Sequence, residues 1–111
     1  MQADRIGDRS LTNRHYSYRI TVAPTGVPSK DTALRPRFSF EATNHDDILA
    51  LVERAQASTG LTPDDAASMA VGLKLLGEVM LREKNNPLFD PLRSGMRDFI
   101  GGLKALSRNR S

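Results

Sequence analysis

The stretch Thr62–Lys84, TPDDAASMAVGLKLLGEVMLREK, leaves this chain few ways to fold. Thr62 suits an N-cap, Pro63 suits the first helical position, and Asp65 stands where a capping-box acid would. About 22 helical residues follow, roughly 33 Å at 1.5 Å per residue. Spaced at 100° per residue, Ala66, Met69, Ala70, Leu73, Leu76 and Met80 form one broad face, and Val71, Leu75 and Val79 cover much of the other. Lys74, Glu78 and Arg82 are left as a narrow polar stripe of about 80° on the same period. A helix that is apolar almost all round is a buried helix, so other elements or a second subunit must cover it. Gly72 and Gly77 lie inside this helix without the strand–loop context of a phosphate loop, and read as points where a neighbouring helix comes close.

The flanking segments supply candidates for that cover. Residues 1–14 are polar, aperiodic and mixed in charge, which reads as a mobile N-terminal arm. Tyr16–Ala23 alternates strictly, with Tyr16, Tyr18, Ile20 and Val22 on one side and Ser17, Arg19 and Thr21 on the other, and Pro24 ends it. Pro24 to Pro36 reads as a long exposed connection. A second strand, Arg37–Thr43, turns Phe38, Phe40 and Ala42 inward. The two strands predict an antiparallel ribbon, which two strands alone do not stabilise in water.

Asn44 reads as the cap of the next helix, with Asp46 and Asp47 in its first turn, where the dipole favours acids. Ile48, Leu49, Leu51, Val52 and Ala55 form its apolar arc, and Gly60 its stop. After the central helix, Leu88 and Phe89 make a short apolar turn, and Asp90-Pro91 caps a last helix, Pro91–Leu106. Its apolar arc is Leu92, Met96, Phe99, Ile100, Leu103 and Leu106, whereas Gly95, Gly101 and Gly102 weaken it, so packing must form it. The expectation is an α+β fold: a two-stranded antiparallel ribbon followed by three helices packed around the central apolar one, a single domain over residues 15–106 with a frayed basic tail at 107–111.

The residues YRITV, SFEATNHDDI, GLKLLGEVML and NPLFDPLR resemble those of a family of small bacterial proteins defined as a domain of unknown function. The likeness runs from Tyr16 to Lys104 and leaves out the arm and the basic tail. It implies a bacterial single-domain protein and carries no activity, ligand or site residue with it.

Composition narrows the function classes. The chain has no cysteine, hence neither disulfides nor thiol chemistry. Its first 20 residues hold no apolar run of the kind a secretion signal needs, and no run approaches a membrane span, so a cytoplasmic protein without a membrane partner is expected. The formal charge of +3 conceals a segregation. Residues 41–65 carry six acids against Arg54, and residues 90–111 carry five bases against Asp90 and Asp98.

No motif surrounds the serines or the two histidines, His15 and His45, so neither an enzyme nor a cofactor is expected. His45, Asp46 and Asp47 suggest a metal cluster only until their 100° spacing on a helix is considered. Capping explains them better. Met69, Met80 and Met96 read as core filler rather than the lining of a ligand pocket. The remaining readings concern partners. A protein–protein interaction module, self-associating as a homodimer through Val71, Leu75 and Val79, fits the apolar central helix and the open strand edges. The alternative is a nucleic-acid-binding regulator using Arg93, Arg97, Lys104 and Arg108, which fall within about 60° on the last helix, or the outer ribbon face with Arg19 and Thr21. Against the ribbon face stands Glu41, placed to pair with Arg19 across the strands.

Overall fold

The computed structural model describes residues 15–110. Its backbone contacts separate into a ribbon unit ending at His45 and a helical unit beginning at Asp46. The expected N-terminal arm, residues 1–14, lies outside the described residues.

The ribbon consists of β1 (Tyr16–Val22) and β2 (Phe38–Asn44), paired antiparallel. The alternation sets the register. Tyr18 stands opposite Ala42, Ile20 opposite Phe40 and Val22 opposite Phe38, which gathers the apolar side chains on one face. On the other face Arg19 donates through Nε to Glu41 Oε2 at 2.8 Å, and the Thr21 and Ser39 hydroxyls lie 2.8 Å apart. Glu41 raises the Arg19 pKa further above its ordinary value, first by the hydrogen bond and then by its charge.

The helical unit contains α1 (Ile48–Ser58), α2 (Pro63–Arg82), a single 3₁₀ turn (Pro87–Phe89) and α3 (Asp90–Arg110). The first helix begins later than the sequence suggests. Its N-cap is Asp47, extended at φ −79°, ψ 99°, whose carboxylate accepts from the Ala50 amide at 3.2 Å. Asn44 belongs to the end of β2 instead, where it is buried. Asp46 therefore stands before the helix, not in its first turn, and its carboxylate pairs with Lys74 of α2.

The α1–α2 turn follows the expected chemistry. The Thr59 amide and hydroxyl both donate to the Ala55 carbonyl, and Gly60 takes φ +78°, the left-handed conformation that suits glycine at a helix end. Thr62 then accepts from the Asp65 amide at 3.2 Å, with Pro63 in the first helical turn. Gln56 reaches back from α1 to the Pro63 carbonyl at 3.1 Å, which pins the two helices across the turn.

Alanines, not glycines, let these helices approach. Ala55, Ala66 and Ala70 are buried together, with Val52 and Met69 packed against them. A Cβ built on Gly72 or Gly77 meets no atom within 4 Å among the described residues, so the expected close approach does not occur at either glycine within one chain. The small side chains that matter lie in the N-terminal half of α2, where α1 crosses it.

The polar stripe of α2 also departs from expectation. Arg82 points to solvent, but Lys74 is largely covered beside Asp46, and Glu78 is buried, 4.0 Å from Arg82. The last helix, in turn, continues beyond Leu106 through Ser107 and Arg108 to Arg110, because no glycine or proline interrupts it there. No described helix is long and apolar enough to cross a membrane.

Candidate interaction surface

The α2–α3 junction is built from the side chain of Arg93. The last turn of α2 leaves carbonyls without helical amide partners, and no glycine follows it to close the end in a left-handed turn. The Asn86 amide donates to the Glu83 carbonyl at 3.0 Å and the Phe89 amide to the Asn86 carbonyl at 3.3 Å, and Arg93 adds its guanidinium to both from the first turn of α3. Its Nη2 donates to the Glu83 and Asn86 carbonyls at 2.9 and 3.1 Å, and its Nη1 to the Met80 carbonyl at 3.4 Å. Its Nε donates to Asp90 Oδ1 at 3.3 Å, and the guanidinium lies 6.0 Å from the Phe89 ring centre. Asn86 caps the 3₁₀ turn, accepting from the Leu88 amide at 3.0 Å. The cap thus lies at Asn86, four residues before the expected Asp90, and Asp90 itself is helical.

This geometry divides the basic stripe. Arg93 faces its own backbone, while Arg97, Lys104 and Arg108 remain exposed on α3. On the ribbon, Arg19 is engaged by Glu41, the partner its cross-strand position indicates. Of the acidic group, Asp47 caps α1 and Asp46 pairs with Lys74. Of the methionines, Met80 is buried and Met69 packs on the alanine cluster.

The apolar residues of α3 are unevenly covered. The helix packs on α1 and on the 3₁₀ turn. Met96, Ile100 and Leu103 are half-buried, whereas Leu92, Phe99 and Leu106 are 41%, 48% and 40% exposed. Those three recur every seven residues and so form one continuous stripe along the helix. On α2, Val71, Leu75 and Val79 are half-buried, and the large side chains open to solvent are Leu76 and Leu81. A Cβ at Gly95 or Gly102, beside the α3 stripe, meets nothing within 4 Å among the described residues. Reading the last helix from its arc alone turns all six apolar residues inward and misses this stripe. The spacing 92–96–99–103–106, alternately four and three, is the sequence signal that reveals it, because it is the pattern of a helix-to-helix seam.

A two-stranded ribbon followed by three helices defines a small protein of the α+β class. The chain belongs to the DUF3861 family, described as a domain of unknown function with a solved structure, whose model matches residues 16–105. It is similar to a protein of unknown function from Pectobacterium atrosepticum whose crystal structure is known: 34% identity, a TM-score of 0.69, and coverage of 81% of this chain and 97% of that one. Among curated proteins none matches.

Proposed function

We propose that this protein is a non-enzymatic protein-interaction module that docks another protein chain on the exposed stripe of α3. The observation that carries this reading is the alignment of Leu92, Phe99 and Leu106 on one helix face, each more than a third exposed. Single apolar side chains on a surface are ordinary, and Leu49, Leu61 and Leu88 are of that kind. A contiguous row is different, since water-exposed apolar surface of that shape is characteristic of an interaction site. The half-buried Val71, Leu75 and Val79 serve in this reading as cover for α2, with α3 as the docking element.

The test uses the full chain, tagged and expressed at native level, and sized under non-denaturing conditions in bacterial lysate. The chain is expected to elute well above its 12.2 kDa monomer mass. Phe99→Glu combined with Leu106→Glu is expected to return it to the monomer position. Elution of the unmodified chain as a monomer in lysate removes the reading.

A further inference from the structure

We infer that α3 beyond its first turn is a hinged arm, which unwinds from α1 as a unit while the α1–α2 pair stays folded and Arg93 holds the hinge. The docking reading concerns the surface of α3, whereas the arm concerns how firmly that helix is held, so each can fail without the other.

Burial is the first support. Among the described residues, none between Asp90 and Arg108 is fully buried, and the best covered of the large apolar side chains, Met96, Ile100 and Leu103, are half-buried. The other two helices are held more firmly. Ile48 and Ala55 of α1 and Ala66, Ala70 and Met80 of α2 are all buried. A segment with few buried apolar contacts opens at the lowest cost in the molecule, and here that segment is α3.

The second support is the glycine content of the arm. Gly95, Gly101 and Gly102 each disfavour the helix about four- to fivefold relative to alanine. A glycine inside a helix is useful where a neighbour leaves no room for a Cβ. A Cβ built at any of these three meets nothing within 4 Å among the described residues. Packing within the chain therefore does not require them, and their effect is to weaken α3. A single helix of this length is marginal in water even with favourable residues, so an arm that leaves α1 also unwinds.

The junction supplies the third. Arg93 donates to the Met80, Glu83 and Asn86 carbonyls and to Asp90, which ties the first turn of α3 to the end of α2. Gly95 follows two residues later and places a weak point just past that anchor. Unwinding from there releases Met96, Ile100 and Leu103 and leaves the Arg93 bonds in place. The arm is thus a switch with two states. Closed, it presents Leu92, Phe99 and Leu106, and open, it frees the rest of its apolar arc as well.

Native-state hydrogen exchange on the purified full chain, followed by NMR through sub-denaturing urea, tests the arm. The Phe99, Ile100 and Leu103 amides are expected to be less protected than those of Ala55 and Ala70. Their protection should also fall less steeply with urea, because opening the arm exposes less surface than unfolding the chain. Gly101→Ala is expected to raise protection in α3 about four- to fivefold. Ala66→Leu strains the α1–α2 crossing in the closed and open states alike. It should lower protection at Ala55 and Ala70 and leave the α3 amides unchanged. Equal protection and equal urea dependence in all three helices of the unmodified chain overturn the arm, whether or not any variant folds. Gly101→Ala without effect on α3, or Ala66→Leu lowering protection everywhere alike, overturns it too.

Discussion

Arg93 donates through Nη2 to the carbonyl of Glu83 at 2.9 Å, so the side chain that opens one helix closes the helix before it. The same guanidinium reaches the Asn86 and Met80 carbonyls and is held by Asp90. Its planar fork meets several acceptors at once, which a lysine ammonium cannot do in the same geometry.

Arg93→Ala is therefore expected to lower stability by about 1–3 kcal/mol, the range for charged hydrogen bonds whose partners are left partly covered. Arg93→Lys should recover less than half of that loss. Urea unfolding followed by circular dichroism measures both, and an unchanged midpoint for Arg93→Ala would show that water replaces the guanidinium without cost.

The pair between Asp46 and Lys74 joins the segment before α1 to the middle of α2. Both side chains keep some solvent, so the expected loss on Asp46→Asn is about 0.5–1 kcal/mol, shrinking as salt is added. A double-mutant cycle with Lys74→Met isolates the coupling. A coupling near zero at low salt would mean that the two charges are as well solvated apart as together.

Small residues on α2 divide by what surrounds them. Ala66 is fully buried against α1, so Ala66→Leu should overpack the crossing and cost about 1–3 kcal/mol. A Cβ added at Gly72 meets nothing within 4 Å among the described residues, so Gly72→Ala should raise helix stability by up to about 1 kcal/mol. Thermal or urea unfolding compares them directly. An unchanged stability for Ala66→Leu would be inconsistent with the alanine-mediated crossing, and a destabilised Gly72→Ala with open space at that glycine.

Periodicity and turn chemistry were enough to read the elements of this fold, because Tyr18, Ile20, Phe38 and Phe40 alternate on a period of two and Thr62, Pro63 and Gly60 have strong conformational preferences. They were not enough to choose a cap among Asn44, Asp46 and Asp47, since all three suit the role and the choice depends on where β2 ends. The orientation of Lys74 and Glu78 was likewise hidden. A polar stripe on an amphipathic helix normally faces water, and only the position of Asp46 turns Lys74 toward the protein. The double role of Arg93 escaped for a related reason. Helical period gives the direction of a Cβ but not the reach of a long side chain back to the preceding helix end. The α3 stripe was visible in the spacing of Leu92, Phe99 and Leu106, but spacing alone cannot say which edge of an apolar arc its own chain covers.

The engagement of Arg93 bears on any contact between α3 and a phosphate backbone. Arg97, Lys104 and Arg108 remain on the exposed basic band, and each phosphate neutralised contributes about 0.9 to the slope of log K against log salt. The slope for duplex DNA should therefore be no steeper than about −2.7, whereas four contacts would give about −3.6. Arg97→Ala with Lys104→Ala should remove roughly two thirds of whatever slope is measured. Arg93→Ala should leave the slope unchanged while destabilising the fold, provided titrations are run well below its unfolding midpoint. A slope that flattens by about one unit on Arg93→Ala would mean that the guanidinium leaves the Glu83 carbonyl to meet phosphate, and the α2–α3 junction would then have to open on binding.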